Sequence, residues 1–321
     1  MTVLSDRLSI GGALSAEVMT ALEVVGADPG ELGALLAAYD GDAYLTGSLA
    51  AGLGDRRSDI DIQVVSADPR ASEGSALAFT RAGTCVDVRY LSRYTIERML
   101  ATERPGQRIR PSGRSGPWLM SRWLNAVPLR AGGPPLLSEE QQGRARGLIR
   151  LSLAGDLIAL TAFALLAEQA GLERSWYLCR RAGVAAWELA AILAGQDYLG
   201  ERWLPRRSGD RRVAGIAAAA CRAERTADLG CLLRQLGLDM DEVPVRVRLS
   251  ASPEAERWSV AGQSFALVGS RRLVPRLQPV PVHAAAAAQQ DPAAVLDGLA
   301  CGALRWTVDL AGVLPSLGGQ R

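Results

Sequence analysis

Two acidic residues at alternate positions, Asp59 and Asp61, follow a Gly47-Ser48 pair after ten intervening residues. Apolar Ala43, Tyr44 and Leu45 lead into Gly47-Ser48 as a short strand, and Ile60, Ile62, Val64 and Val65 carry a second one. Alternate side chains of a strand share a face, so Asp59 and Asp61 point one way while Ile60 and Ile62 point into a core. Two carboxylates on one face make a hard-oxygen site of the kind Mg²⁺ prefers, at roughly 2.0–2.1 Å and with substrate phosphates completing the shell. Gly47 has no Cβ, so the backbone N–H groups around it and the Ser48 hydroxyl can approach a phosphate closely. A third carboxylate, Asp87, lies in the strand-like run of Cys85, Val86, Val88, Tyr90 and Leu91, which a sheet can set beside the first two.

Gly-Ser, ten residues, Asp-x-Asp and one more acid on a later strand: this order resembles the DNA polymerase β-type nucleotidyltransferase superfamily. The resemblance implies that an acceptor oxygen attacks the α-phosphorus of a nucleoside triphosphate and that pyrophosphate leaves. It implies Asp59, Asp61 and Asp87 as ligands of Mg²⁺, two ions held roughly 3.5–4 Å apart, with Asp87 also taking the acceptor's proton. Gly47 and Ser48 would then cradle the β- and γ-phosphates. Arg56 and Arg57, between the two halves of the motif, either neutralise phosphate or are solvated.

A looser resemblance lies further on. Trp176-Tyr177-Leu178-Cys179-Arg180-Arg181, with Glu201-Arg202-Trp203-Leu204-Pro205 some twenty residues later, is similar to the helical domain of aminoglycoside nucleotidyltransferases and related bacterial small-molecule enzymes. Arg202 stands where those enzymes carry a lysine, and the resemblance makes Arg181 and Arg202 candidate nucleotide contacts alongside Arg57. Such enzymes also draw a base from the sheet or the helical domain, so Asp87, Asp156 and Glu188 all remain candidates, Asp156 having the alternative of a structural pairing with an arginine such as Arg150.

Composition narrows the partners. Of 321 residues 48% are hydrophobic and 22% charged, which are globular values. All 36 basic residues are arginine, so every cationic contact to a triphosphate must come from Arg or a backbone N–H. A net charge of +2, with only three Phe and six Tyr, offers neither the basic stripe nor the aromatic platform that long nucleic acid requires. Five cysteines without CxxC spacing, and one histidine, indicate neither disulfides nor zinc and suit reduced thiols in a cytoplasmic protein. The apolar stretch from Leu148 to Ala167 is broken by Arg150, Gly155 and Asp156, which predicts a core helix and no membrane span.

The elements that must position these residues follow in order. Helices are predicted over 14–26 and 31–39, the second opened by Asp28 as N-cap and Pro29 at the first helical position. A helix over 92–102 follows the Asp87 strand. Residues 103–135 are rich in Gly and Pro and read as a linker or loop whose arginines 104, 108, 110 and 114 could reach a polyphosphate. Four helical stretches are expected over 139–151 running into 152–171, 176–195 and 213–236. After Asp239, alternation over 243–249 predicts a strand, 258–274 a meander of short strands, and 292–314 a final helix.

The fold expected is therefore α+β: a small mixed sheet with flanking helices, a helical domain and a short β-rich C-terminal region. Domain limits are set at 1–135, 136–238 and 239–321. The leading function is metal-dependent transfer of a nucleoside monophosphate, AMP from ATP, to a hydroxyl of a small molecule, in antibiotic modification or in biosynthesis. Acidic residues are not clustered outside the metal site, so a polycationic antibiotic is one acceptor among several. The alternatives are nucleotidylation of a protein, a synthase joining nucleotides for signalling, and a non-catalytic nucleotide-binding module.

Overall fold

A computed structural model of the chain describes residues 14–71, 73–101, 115–173, 175–207, 209–252, 255–260, 263–268, 273–275, 282–283, 292–300, 304–311 and 313. It divides into two compact units, one of residues 1–104, 115–149 and 197–203, the other of residues 105–114, 150–196 and 204–321.

In the first unit α1 (Ala16–Val25) and α2 (Pro29–Leu36) precede β1 (Asp42–Thr46) and a single helical turn, α3 (Gly47–Ala50). Asp28 caps α2 as its sequence predicts, accepting from the Gly30 N–H at 2.9 Å, with Pro29 in the first turn where its missing N–H costs nothing. Then come β2 (Ile60–Ser66), β3 (Gly74–Phe79), β4 (Cys85–Ser92), α4 (Arg93–Ala101), α5 (Ser115–Leu124) and β5 (Val127–Pro128). The sheet order is β3-β4-β2-β1-β5, with β2 parallel to β4 and the other pairs antiparallel. This is the mixed sheet with flanking helices that the motif demands.

The sheet sorts its side chains by strand alternation. Leu45, Ile60, Ile62, Val64, Val86 and Val88 are buried together with Val18, Leu22, Leu32 and Leu36 of α1 and α2 and with Leu129. At about 25 cal/mol per Å² of apolar surface, each such aliphatic side chain stabilises the unit by roughly 1.5–3 kcal/mol. Asp61, Gln63, Asp87 and Arg89, one residue out of phase, therefore take the opposite face.

Two elements of this unit contradict the reading of the sequence. Residues 115–124, expected in the linker, form α5, since Pro117 falls in its first turn where proline is tolerated and Trp118, Met120 and Trp123 supply an apolar face. Strand β3 was not foreseen either; it is an exposed edge strand whose one inward position, Ala78, gives no usable alternation. Residues 102–114, with arginines 104, 108, 110 and 114, lie outside the described residues.

The second unit contains the larger part of α6 (Glu139–Gln169), one continuous helix where two abutting ones were expected. It is the one helix among the described residues long and apolar enough to cross a membrane, yet 78% of its most apolar window is buried inside the protein, as a core helix requires. Three more helices follow, α7 (Ser175–Leu193), α8 (Arg211–Ala220) and α9 (Thr226–Gln235), and before α8 comes a 3₁₀ segment (Glu201–Arg207) of which residues 204–207 belong to this unit. Small residues let α7 and α8 approach closely: a Cβ on Gly183 would stand 2.9 Å from the Ala220 carbonyl oxygen. The single helix expected over 213–236 is two, broken at Cys221–Arg225 and restarted where Asp228 accepts from the Glu224 and Arg225 N–H groups.

Beyond α9, residues Val243–Arg246 form a helical turn, α10, and only Val247–Ala251 (β6) is strand. Pro244 has no N–H to give a ladder and suits a first helical turn, which corrects the strand predicted over 243–249. Strands β7 (Ala255–Val260), β8 (Gln263–Val268) and β9 (Leu273–Pro275) form the expected meander. A second small sheet has the order β10-β6-β11, from β10 (Val282–His283), β6 and β11 (Leu304–Val308). The terminal helix is thus shorter than predicted, α11 (Pro292–Ala300), because Leu304–Val308 pairs with β6.

Candidate active site

Register fixes the centre of the site. In the parallel pair β2·β4, Asp61 stands directly opposite Asp87, and on the other side of β2 Thr46 stands opposite Asp61. Asp59 lies one residue before β2 and is exposed. Asp61 is 9% exposed, and burial pushes its carboxyl above the ordinary carboxylate range. The Arg122 guanidinium pulls it back, while the neighbouring charges of Asp87 and Asp59 push it up again. The three acids singled out in the sequence are therefore within electrostatic reach of one another.

Gly47 shows why the motif begins with glycine. Its φ is +75°, a left-handed conformation, and a Cβ built on it would lie 2.0 Å from Asp61 Oδ2. The turn after β1 passes directly over the carboxylate, and only a residue without a side chain fits there. Ser48 is buried just beyond, its carbonyl accepting from the N–H groups of Leu53 and Gly54 at 2.9 Å. The loop continues through Asp55, which accepts from the Arg57 N–H at 3.0 Å, to the exposed side chains of Arg56 and Arg57.

Arg122 was not anticipated, because it lies on the helix hidden in the Gly/Pro-rich stretch. It reaches Asp61 through two parallel bonds, Nη1 to Oδ1 at 2.9 Å and Nη2 to Oδ2 at 3.2 Å. Its guanidinium carbon stands 3.7 Å from the centre of the Trp118 ring. Arg89, from β4, approaches the same ring at 5.2 Å and pairs with Asp87 Oδ2 at 3.4 Å. The signal available in the sequence was Trp118 and Arg122 at i and i+4, which share a helical face.

The remaining predicted contacts distribute unevenly. Arg202 lies in the first unit, its Nη2 3.7 Å from Asp55 Oδ2 and its guanidinium over Trp203 at 4.7 Å, so it borders the loop that joins the two halves of the motif. Arg181, Asp156 and Glu188 are half-buried on α7, α6 and α7 of the second unit. On the carboxylate face of β3, Leu77 stands opposite Asp87 and Phe79 opposite Cys85, both largely exposed. The Cys85 thiol is raised by burial and then by Asp59, Asp87 and Asp61, which places it on the same face. A cavity of about 450 Å³, lined by Tyr39, Val88 and Tyr90 among others, opens on the opposite face of the sheet.

This fold and this site carry a known signature. Residues 31–102 match the family model of the nucleotidyltransferase domain. The matched segment runs from α2 through α4 and contains Gly47, Ser48, Asp59, Asp61 and Asp87. No curated protein matches the chain.

Nucleotidyltransferase domains generally use a nucleoside triphosphate and a divalent metal. The described residues do not fit a metal in this arrangement: no group of three or more His, Cys, Asp or Glu among them converges to hold an ion. Both oxygens of Asp61 are taken by Arg122, and Oδ2 of Asp87 faces Arg89. Asp61 and Asp87 are each paired with a guanidinium group.

Proposed function

We propose that the domain transfers a nucleoside monophosphate, AMP from ATP, to a hydroxyl of a small molecule. The observation that carries the reading is the register that sets Asp61 opposite Asp87 beneath a turn that only Gly47 can make. In this reaction the acceptor oxygen bonds to the α-phosphorus, the bond to the bridging oxygen of pyrophosphate breaks, and the acceptor's proton passes to Asp87. The turn at Gly47 and Ser48 orients the triphosphate beside the carboxylates, and Arg57 and Arg202 at the loop's edge supply positive charge for its phosphates. The family resemblance calls for Mg²⁺ as the cofactor, although the described carboxylates do not converge on an ion by themselves.

The acceptor is small and in part apolar. Leu77 and Phe79 give the carboxylate face an exposed apolar border, which suits the carbon skeleton of a natural product better than a polycation. A net charge of +2 with scattered arginines favours such an acceptor over a polynucleotide, and the protein is proposed to act in the cytoplasm. A second reading, a nucleotide-binding module without transfer, draws support from the hold of Arg122 on Asp61.

The experiment is incubation of the purified protein with Mg²⁺ and each nucleoside triphosphate, with and without a small-molecule extract, read by mass spectrometry for a nucleotide-sized adduct. The expected result is an AMP adduct that needs the extract and falls on the order of a thousandfold with Asp59→Asn, as loss of a transition-state charge contact requires. Product from triphosphate alone would point to a nucleotide-joining synthase, and binding without product to the module.

A further inference from the structure

Strand β3 ends the sheet of the first unit, and among the described residues no strand lies beyond it. Thr80 donates its N–H to the Thr84 carbonyl at 2.9 Å, which makes these two a hydrogen-bonded pair and fixes the alternation along β3. Gly74, Ala76 and Ala78 therefore bond to β4, opposite Tyr90, Val88 and Val86. Ser75, Leu77 and Phe79 turn their N–H and C=O groups the other way, along the open edge.

Proteins usually blunt such an edge with a charge, a proline or a bulge. Strand β3 reads Gly-Ser-Ala-Leu-Ala-Phe and pairs with β4 in unbroken register, so it has none of these. Leu77 and Phe79 are 69% and 67% exposed on it. Charge stands only beyond its ends, where Glu73 and Arg81 lie four residues to either side of Leu77. Glu73 accepts from the Thr95 hydroxyl through Oε1, and Arg81 touches Glu31 at 3.2 Å with a side chain that is 94% exposed.

That spacing is self-complementary. In an antiparallel meeting of two copies with Leu77 on the two-fold axis, Leu77 faces Leu77, Ser75 faces Phe79, and Glu73 of each copy faces the partner's Arg81. The outward-facing residues then meet one another, giving roughly six interchain N–H···O=C bonds. A slip of one residue sets outward groups against inward ones. A slip of two keeps the bonds but sets Glu73 against Phe79 or Gly83 and separates the charges, so charge selects the register.

We propose that β3 is a dimerisation edge, through which two copies of this chain pair antiparallel and join their sheets across a two-fold axis. The pairing uses up both edges and closes at two copies. It goes beyond nucleotidyl transfer and rests on the strand alone. Since Leu77 stands opposite Asp87, the partner's Leu77 and Phe79 would continue the apolar border of the carboxylate face. A strand of six residues spans roughly 20 Å, and an interface of that length falls below the ~1,200 Å² of stable complexes. The dimer is therefore expected to be dynamic, with a Kd in the micromolar range.

The test is sedimentation velocity of the full-length protein from about 1 to 200 μM, a range that brackets micromolar association. The unaltered protein should shift from monomer to dimer with rising concentration and grow no further. Leu77→Pro removes the outward N–H on the axis and no bond to β4, and should leave a monomer throughout. Arg81→Glu sets like charges against each other at both ends and should weaken the dimer roughly tenfold, while Glu73→Arg with Arg81→Glu reverses both charges and should restore most of the loss. These charge variants carry the test if Leu77→Pro does not melt cooperatively. A monomer at every concentration, growth beyond the dimer, or a dimer indifferent to all of these substitutions overturns the proposal.

Discussion

The two faces of β2 solve opposite problems with alternate residues of one strand. Ile60, Ile62 and Val64 enter an apolar cluster where any aliphatic side chain of the right volume would serve. Asp61 and Gln63, between them, are also buried but polar, so each needs a specific partner: Arg122 for the acid, and for Gln63 the Arg89 carbonyl, to which its Nε2 donates at 2.9 Å. One face is held by area, which is tolerant and non-directional. The other is held by named pairs, which are exacting, and that is the condition for chemistry.

Substitutions one residue apart should separate these two kinds of hold. The largest effect on folding is expected from Ile62→Ala, about 2–5 kcal/mol in a denaturant titration, because a fully buried cluster loses contacts and cannot close the gap. Nucleotide affinity of the folded fraction should change little; a large change would mean that the faces are not independent. Gly47→Ala comes next, at about 1–3 kcal/mol, since it forces a side chain into a left-handed conformation and against Asp61 Oδ2. Unlike Ile62→Ala, it should abolish nucleotide binding as measured by calorimetry, and equal binding by both variants would break the contrast.

The smallest effect uses Cys85 as a reporter on the polar face. Burial and the charges of Asp59, Asp87 and Asp61 hold its thiol above the ordinary value of 9.0, so less of it is thiolate at pH 8 than in a free cysteine. Removing one negative charge favours the thiolate. Asp59→Asn should therefore shift the pH profile of iodoacetamide alkylation at Cys85 toward lower pH and modestly raise the rate at pH 8. Peptide mapping of the labelled protein checks it, and a profile that stays where it was would separate Asp59 from the cluster.

What was legible in the sequence follows the same division. The apolar alternation of β1, β2 and β4, the capping of α2 and the core helices rest on local patterns, and they were read from residues alone. So were the three acids, because a strand's period places them without knowledge of anything distant. Arg122 escaped because its role depends on a partner 61 residues away, and because Pro117 and the glycines around it suggested a loop where a helix starts. Strand β3 escaped since an edge with exposed Leu77 and Phe79 carries no burial rhythm, and Leu304–Val308 because only pairing with β6 makes it a strand.

The reach of Arg122 also sets how little of the chain can be cut away. A fragment trimmed to residues 31–102 would keep every motif residue, yet it would lose α1 from the apolar cluster, Leu129 from its rim and β5 from the side of β1. The bared flank of β1 would become an open sheet edge ready to pair with another chain. Asp61 would remain sunk in the sheet with the cation that balances it deleted. Such a fragment should aggregate, and the shortest autonomous form of this domain must extend from α1 at least through Leu129.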